Sequence, residues 1–468
     1  MKYLSTRGLQ KNLSYNEVLL QGLSNDGGLF VPSHWPRFSL NELKEMSNLD
    51  YFDLASRIID KFSSEDIRLS NLLKICKKTY QNFEGEDIAP LKEIGDNNYV
   101  LELFHGPTWA FKDYAMQYLA NDFERALKIK NQKSLILGAT SGDTGSAALH
   151  AFSGLENLDI FILFPKGRVS PVQEAQMTSV INKGANAVEI EGDFDDCQQI
   201  VKDIFEDINF REEVNLSAVN SINWARVIPQ IVYYFYSAFK LGSPNKKVSF
   251  SVPTGNFGNI YAGWCARKMG LPIDRLICAS NKNNILPRFF NSGSMERKIV
   301  DASISPSMDI QVSSNFERLL FEIYDRDDLK VKYDLEKFKL KGLYSIPKNK
   351  LNSLKELFIS YYLDDNGILE EIRRVYKKAH MIIDPHTACG TFAADSVRLN
   401  NQVDPNIPII SLACAHPCKF PDAVFNSIGI RPRLPKKSQD LLSRDKKSLK
   451  APAEKEIIKN LLQTKRRN

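Results

Sequence analysis

The chain has 468 residues, of which 43% are hydrophobic and 25% are charged, which is the composition of an ordinary globular protein with about two to four structural units. The formal net charge is +6, but thirteen Lys or Arg against four Asp or Glu lie from Arg431 onwards, so the rest of the chain is slightly acidic. This distribution argues against a nucleic-acid-binding protein. A membrane protein is also not expected, because no run approaches the roughly 18 apolar residues of a membrane span.

The seven cysteines are odd in number and scattered along the sequence. The opening segment Met1–Arg7 contains no apolar stretch of the kind found in signal peptides. We therefore expect reduced thiols and a cytoplasmic protein. The pair Cys414 and Cys418 flanks His416 but has no second pair at zinc-site spacing, so we expect no metal site.

Residues 1–95 are predicted to form a mainly helical N-terminal domain. The segments Tyr51–Phe62 and Ile67–Tyr80 carry apolar residues at a spacing of three to four, which is typical of amphipathic helices. The turn Asn25–Gly28 leads into a short apolar run, Leu29–Val31.

Residues 96–435 are predicted to form an α/β region, because short apolar runs alternate there with helical stretches. That alternation indicates βαβ units and a mostly parallel sheet. The stretch near residues 281–380 is more irregular, and we expect it to be an elaboration on the α/β core. Residues 436–468 are interpreted as a basic C-terminal tail with a short helix near Glu454–Leu462. The predicted strands are Tyr99–Leu103, Ser134–Leu137, Ile160–Phe164, Ala187–Ile190, Val248–Val252, Leu276–Ala279 and Ile407–Ala413.

The segment His105–Asp113 places one lysine, Lys112, close to Trp109 and Phe111. Apolar surroundings disfavour an ammonium ion and make the neutral amine accessible as a nucleophile towards aldehydes. An enzyme that holds pyridoxal phosphate as a Schiff base needs such an amine. The same pattern is also typical of a lysine whose stem covers apolar surface while its charge stays in water.

A first loop rich in small residues, Gly138–Gly145, lies between a predicted strand and a predicted helix. Its hydroxyl groups and the free N–H groups at the start of the helix favour a carboxylate or a phosphate.

A second loop, Pro253–Asn259, follows another predicted strand, and its residues Gly255 and Gly258 can adopt positive φ to form an anion-binding nest. Neither loop matches the P-loop or the dinucleotide pattern, and either one alone could be an ordinary strand-to-helix turn. Two such loops together with Lys112 favour a small ligand that carries two anionic groups.

These motifs, with others in the same order, resemble the threonine synthase family of pyridoxal-phosphate enzymes. The resemblance implies an α/β fold of the tryptophan-synthase-β type (fold type II), with two mostly parallel sheet domains and a mainly helical N-terminal domain. The further matching segments are Tyr3–Gly8, Gly22–Leu29, Phe164–Pro171, Asn220–Asn223 and Ala415–Pro417.

The resemblance also implies which residues bind pyridoxal 5'-phosphate. Lys112 would form the Schiff base, and Asp143 would lie near the phenolic oxygen, where related enzymes carry Asn. Cys414 would face the pyridine nitrogen, where the family usually has Thr. The cofactor phosphate would be held by Gly255, Asn256, Phe257, Gly258 and Asn259.

For the substrate, the resemblance implies O-phospho-L-homoserine, which reacts with water to give L-threonine and phosphate in the last step of threonine biosynthesis. Such an enzyme is a carbon–oxygen lyase, and the alternative is a related phospho-lyase or dehydratase that acts on a similar amino acid. We expect a monomer or a homodimer. The substrate carboxylate would be bound by Thr140, Ser141 and Thr144, and the substrate phosphate by Asn220, Ser221 and Arg226. Lys166 and Arg168 are either further phosphate contacts or part of a solvated turn, and Asp113 and His386 are expected to be structural.

Overall fold

The structure is a computed structural model that describes residues 1–180, 184–218 and 221–467. The helices are α1 (Tyr15–Gln21), α2 (Leu40–Met46), α3 (Tyr51–Ser63), α4 (Leu69–Tyr80), α5 (Lys112–Lys130), α6 (Asp143–Phe152), α7 (Pro171–Thr178), α8 (Phe194–Glu206), α9 (Ile208–Glu213), α10 (Trp224–Lys240), α11 (Gly258–Lys268), α12 (Ile285–Ser292), α13 (Phe316–Ile323), α14 (Asp328–Lys341), α15 (Lys348–Lys355), α16 (Asp365–Ala379), α17 (Pro385–Leu399), α18 (Pro421–Ile428) and α19 (Lys455–Lys465). The strands are β1 (Tyr3–Ser5), β2 (Phe30–Pro32), β3 (Leu91–Gly95), β4 (Asn98–Glu102), β5 (Ser134–Ala139), β6 (Leu158–Pro165), β7 (Ala185–Glu191), β8 (Leu216–Ser217), β9 (Val248–Pro253), β10 (Ile273–Ser280), β11 (Ser294–Glu296), β12 (Leu343–Ser345), β13 (Phe358–Tyr362), β14 (Ile409–Ala413) and β15 (Leu449–Pro452). Short 3₁₀ turns occur at Pro306–Met308, Pro417–Lys419, Lys436–Ser438 and Leu441–Ser443.

Two larger sheets form the α/β region, as the sequence predicts. One has the strand order β13-β10-β9-β14-β4-β3 and is parallel except for β3, and the other has the order β15-β7-β6-β5-β8 and is parallel throughout. The central strands β6 and β9 are buried along their whole length, which is the pattern expected of strands covered by helices on both faces. The predicted α/β fold with two mostly parallel sheets is confirmed.

The N-terminal segment is mainly helical, with α1 to α4 and the short antiparallel pair of β1 and β2. Residues 91–95, however, form β3, which pairs with β4 in the six-stranded sheet. The tight turn between these strands has positive φ at Asp96 and Asn97, as a two-residue hairpin requires. The sheet therefore starts inside the segment that the sequence assigned to the N-terminal domain.

The basic C-terminal segment is part of the five-stranded sheet, which corrects its interpretation as a separate tail. Strand β15 pairs with β7, and α19 packs against α8 with Ile458 and Leu462 fully buried. Its basic residues meet acidic ones of the same domain, with Lys459 Nζ 2.7 Å from Asp207 Oδ2 and Arg467 Nε 2.6 Å from Asp159 Oδ1. Leu462 lies four positions after Ile458, about one helical turn, so both lie on the face of the helix that contacts the sheet domain.

The irregular region near residues 281–380 contributes the edge strand β13 and one wall of the cavity described below. The turn Pro306–Met308 lies against the loop between β9 and α11, where a Cβ added at Gly255 would come within 2.7 Å of the Ser307 carbonyl oxygen. All seven cysteines are free and buried. Within the described residues, no helix is both long and apolar enough to cross a membrane.

Candidate functional site

A cavity of about 90 Å³ lies where β5, β9 and β14 end. Its wall includes Lys112 at the start of α5, Asp143 at the start of α6, the residues Gly255–Asn259 and Cys414 just after β14. Ligands of α/β proteins bind at the carboxyl ends of parallel strands, and here two sheets contribute such ends to one cavity.

The loop that carries Lys112 is attached to the end of β14. The Phe111 N–H donates to the Cys414 carbonyl at 2.8 Å, and the His416 N–H donates to the Trp109 carbonyl at 2.9 Å. Trp109 has a φ of 59°, so the chain reverses there before the helix begins. These backbone contacts fix Lys112 and Cys414 on the same cavity wall.

Asp113 and His386 are held in structural hydrogen bonds. Asp113 accepts from the backbone N–H and the hydroxyl of Thr108 at 2.8 and 2.6 Å, and its burial raises the pKa of this carboxyl to about 6. His386 Nδ1 lies 2.7 Å from Asp384, and its Nε2 accepts from the Ser307 N–H at 3.2 Å. His386 therefore positions the Ser307 turn, and both ring nitrogens are already used.

Asp143 lies between two lysines. Its Oδ2 is 3.5 Å from Lys112 Nζ, and its Oδ1 is 2.7 Å from Lys419 Nζ and 2.8 Å from Gln173 Nε2. Burial alone would raise the pKa of Asp143, but the charges of Lys419 and Lys112 outweigh it and hold the pKa far below its ordinary value. The surroundings of Lys112 are thus not purely apolar, because a carboxylate faces its amine.

Sequence reasoning did not identify Lys419 as a site residue. It follows Cys418 in the turn after β14, and its side chain is fully buried. The available signal was a lysine five residues after Cys414, beyond the end of the same strand, since the ends of neighbouring strands meet at one edge of the sheet.

The hydroxyl groups of the first loop, Gly138–Gly145, have different surroundings. Thr140 Oγ1 accepts from the N–H groups of Gly142 and Gly145 at 3.0 and 2.9 Å, so it shapes the loop. Thr144 lines the cavity, whereas Ser141 is exposed and does not line it. Of the three residues expected to bind a carboxylate, only Thr144 lies on the cavity wall, and the contacts of Thr140 do not support that role.

The second loop has its positive φ at a residue the sequence did not indicate. Phe257 adopts a φ of 64°, whereas Gly255 and Gly258 do not have positive φ. The Phe257 ring is buried and packs edge-on against Phe316, with ring centres 5.1 Å apart, which holds the backbone in this conformation. Gly255 is instead required for close approach to the backbone of Ser307.

Asn259 presents a free amide group from the start of α11. Its Oδ1 accepts from the hydroxyl groups of Tyr233 and Tyr234 at 2.7 and 3.0 Å. Its buried Nδ2 has no hydrogen-bond partner among the described residues. Because the two tyrosines fix the oxygen, the N–H₂ group remains available to an acceptor in the cavity.

Arg226 is a buried cation on the cavity wall. Its side chain is 4% exposed, and its Nε and Nη1 have no hydrogen-bond partner in the part of the chain that the structure describes. Burial lowers the pKa of this guanidinium to about 10. Ser221 lies on the same wall, and Asn220 lies outside the described residues. An unpaired buried guanidinium is suited to a phosphate or a carboxylate.

Lys166 and Arg168 lie in an exposed turn and do not line the cavity. Their cationic groups are each 4.0 Å from a surface carboxylate, that of Glu191 for Lys166 and that of Asp193 for Arg168. The structure thus agrees with the interpretation of this segment as a solvated turn.

Cys414 presents a protonated thiol to the cavity. Its side chain is buried, and burial together with the charge of Asp384 holds the pKa of the thiol well above its ordinary value. The Cys414 N–H donates to the Thr387 hydroxyl at 3.3 Å, which fixes the backbone at this position. A thiol is a weak donor that does not protonate a pyridine nitrogen.

These groups fit pyridoxal phosphate. The cavity provides an amine for an aldehyde, an unpartnered amide and a backbone cradle closed by Gly255 for a phosphate, and a second anion site at Arg226. The cofactor supplies one anion and an amino-acid phosphate ester would supply the other.

Comparisons with known proteins agree with this interpretation. The family model described as Threonine synthase N terminus matches residues 2–80, that of pyridoxal-phosphate dependent enzymes matches residues 88–415, and Threonine synthase, C-terminal matches residues 387–462. The chain is 45% identical to the threonine synthase of Pseudomonas aeruginosa over 97% of this chain and 96% of that protein. It is 42% identical to the threonine synthase of Saccharomyces cerevisiae over 91% of this chain and 89% of that protein.

Solved structures are similar over the full length. The structure of pyridoxal-phosphate-bound threonine synthase from Brucella melitensis matches with a TM-score of 0.97 and 43% identity over 100% of both chains. That of yeast threonine synthase matches with a TM-score of 0.94 and 40% identity over 99% of this chain and 98% of that one. From the family models, the identities and the cavity together, the chain belongs to the threonine synthase family of pyridoxal-phosphate enzymes.

Proposed function

We propose that this chain catalyses the conversion of O-phospho-L-homoserine and water to L-threonine and phosphate, as a carbon–oxygen lyase. The observation that carries the proposal is the unpartnered guanidinium of Arg226 in the same cavity as Lys112. The second loop would hold the cofactor phosphate, so Arg226 is left as a separate cationic site for an anion of the substrate. A phosphate ester on the amino acid would supply that anion.

The residues that would hold the cofactor phosphate are those of the second loop, Gly255–Asn259. Gly258 begins α11, so the N–H groups at the start of that helix face an anion in the loop. Asn259 adds its free Nδ2, and the thiol of Cys414 would face the pyridine nitrogen. When bound to Lys112 through its aldehyde, pyridoxal phosphate supplies an electron sink for negative charge that develops next to the amino group of the substrate.

Lys112 would act as the base in the proposed reaction. With the substrate amine bound at the cofactor, the amine of Lys112 would be free within the cavity and would accept the proton from Cα. Asp143 Oδ2 at 3.5 Å holds that amine on the cavity wall. The same amine can return a proton later, since it remains tethered within reach.

Arg226 and Ser221 would bind the substrate phosphate, with Asn220 as a further proposed contact. A guanidinium donates two parallel hydrogen bonds to phosphate oxygens and stabilises the charge that the phosphate carries as it leaves Cγ. Thr144 would bind the substrate carboxylate at the start of α6. A proton would leave Cβ as the phosphate leaves Cγ, and Cγ would then take up a proton. Water would add its hydroxyl group at Cβ and a proton would return to Cα, so the products are threonine and phosphate.

The test is an assay of products from the purified protein with pyridoxal phosphate and O-phospho-L-homoserine. We expect phosphate and threonine in equal amounts. Phosphate together with a keto acid would contradict the proposal and support the alternative, a phospho-lyase or dehydratase. If protein with cofactor bound formed neither product, the substrate would be a different amino acid.

We further propose a cytoplasmic location and a monomeric or homodimeric state. The seven free, buried cysteines support a reducing compartment. Light scattering on the purified protein would measure its molar mass. A mass above that of a dimer would contradict the proposed monomeric or homodimeric state.

A further inference from the structure

Lys419 is a fully buried cation to which the proposed reaction assigns no step. Its Nζ lies 2.7 Å from Asp143 Oδ1 and donates to the Thr108 carbonyl at 2.8 Å. A buried charge is costly unless a partner and hydrogen bonds compensate for it. Thr108 belongs to the loop before Lys112, so Lys419 connects that loop to the start of α6.

The carboxylate of Asp143 is held asymmetrically. Its Oδ1 receives the charged donor of Lys419 and the neutral donor of Gln173, at 2.7 and 2.8 Å. Its Oδ2 is left to face Lys112 Nζ at 3.5 Å. Two fixed donors on one oxygen therefore determine where the other oxygen points.

We propose that Lys419 is a positioning residue for the nitrogen of Lys112: it holds Asp143 with Oδ2 directed at that nitrogen, and its own charge limits how tightly the nitrogen holds its proton. This inference rests on the proposed function, because it takes Lys112 as the residue that binds the cofactor. Asp143 and Lys419 place charges of opposite sign close to that nitrogen.

Other titratable groups respond to the same cluster of charges, and they must be considered in any pH measurement. They are Asp113 on α5, His150 on α6, Cys414 just after β14, and His416 and Cys418 in the turn that follows it.

The test is the pH midpoint of the visible absorbance of the bound cofactor, measured without substrate in Lys419→Met. That absorbance depends on whether the cofactor-linked nitrogen carries a proton. Removing a positive charge raises the proton affinity of every group nearby, so we expect the midpoint to rise by about one pH unit. Gln173→Leu is the matched control, because it removes a neutral donor from the same oxygen and should shift the midpoint much less.

A second pair of variants tests the charge balance if Lys419→Met alone does not fold, because the double variant removes both charges of the buried Lys419–Asp143 pair. Asp143→Asn removes a negative charge and should lower the midpoint, and the double variant Asp143→Asn with Lys419→Met should return it towards the wild-type value. An unchanged midpoint in Lys419→Met, or equal midpoints in the Asp143→Asn single and double variants, would overturn the inference. A shift in Gln173→Leu as large as that in Lys419→Met would also overturn it, since charge would not be the cause. Wild-type protein without the absorbance would overturn the cofactor assignment as well, which distinguishes the two failures.

Discussion

Replacement of Arg226 by methionine should reduce activity without destabilising the protein. In the absence of ligand, its guanidinium is buried and two of its nitrogens have no partner among the described residues. Burial lowers the pKa of this guanidinium to about 10. At roughly 1.4 kcal/mol for each pKa unit, keeping this charge buried costs about 3 kcal/mol. Methionine fills similar space without that cost, so the cofactor-free variant should melt at the wild-type temperature or higher.

The activity of Arg226→Met, unlike its stability, should fall. Each hydrogen bond from a charged donor contributes roughly 1.5–3 kcal/mol, so losing two of them from a phosphate costs about 3 kcal/mol or more. We therefore expect kcat/KM for O-phospho-L-homoserine to fall by about 100-fold or more. The dissociation constant of pyridoxal phosphate should change by only a few-fold. Phosphate release gives the kinetic constants, and cofactor absorbance gives the binding constant.

Arg318 provides the matched control for this prediction. It is also fully buried with a pKa lowered to about 10, but its nitrogens donate to the Phe30 carbonyl at 2.9 Å, to Asn315 and to the Ile222 carbonyl. Arg318→Met should therefore destabilise the cofactor-free protein by several kcal/mol, because it leaves buried acceptors without donors. If Arg226→Met destabilised the protein as much as Arg318→Met, or left kcat/KM unchanged, the role of Arg226 as a free anion site would be refuted.

Three further changes test other parts of the site. Lys112→Ala should abolish both turnover and the visible absorbance of bound cofactor, and a variant with the wild-type rate would contradict the assignment. Tyr233→Phe removes one of two hydroxyl groups that orient Asn259 and should weaken cofactor binding by up to about 10-fold, measured by titration; unchanged binding would show that Asn259 does not depend on it. Asp113→Asn should gain stability relative to wild type by about 3 kcal/mol between pH 4 and pH 7, because burial raises the pKa of Asp113 to about 6 and its stabilising effect is lost as pH rises through that value. Melting temperatures across this range check it, and a constant difference would contradict it.

The parallel strands could be predicted because each is a short apolar run between polar turns. The segments predicted at Ser134–Leu137 and Val248–Val252 lie within β5 and β9, and both end at the cavity. Burial on both faces removes the alternation of ordinary strands and leaves a continuous apolar signal. The edge strands β3 and β15 were not predicted, because a strand at an exposed edge does not require a continuous apolar run.

Site residues were predictable where local chemistry determines them and not where long-range contacts do. Lys112 and the loop Gly255–Asn259 can be identified from adjacent residues. The pairing of Lys419 with Asp143 joins two loops far apart in the sequence, and no local pattern indicates it. The positive φ at Phe257 is likewise set by packing against Phe316 and not by a glycine.

The two proposed anion sites of the cavity differ in how their donors are fixed. Near the second loop, the amide of Asn259 is held by two tyrosine hydroxyl groups, so its donor is in place before a phosphate binds. Arg226, in contrast, carries a full charge with two unpartnered nitrogens and bears a desolvation cost until an anion arrives. A buried neutral donor costs less to leave without a partner than a buried charge does, and a donor that is already in place suits a cofactor that stays bound. A phosphate that must leave in every turnover is better served by a cation whose strain is relieved only while the phosphate is present, because the same charge stabilises the leaving group.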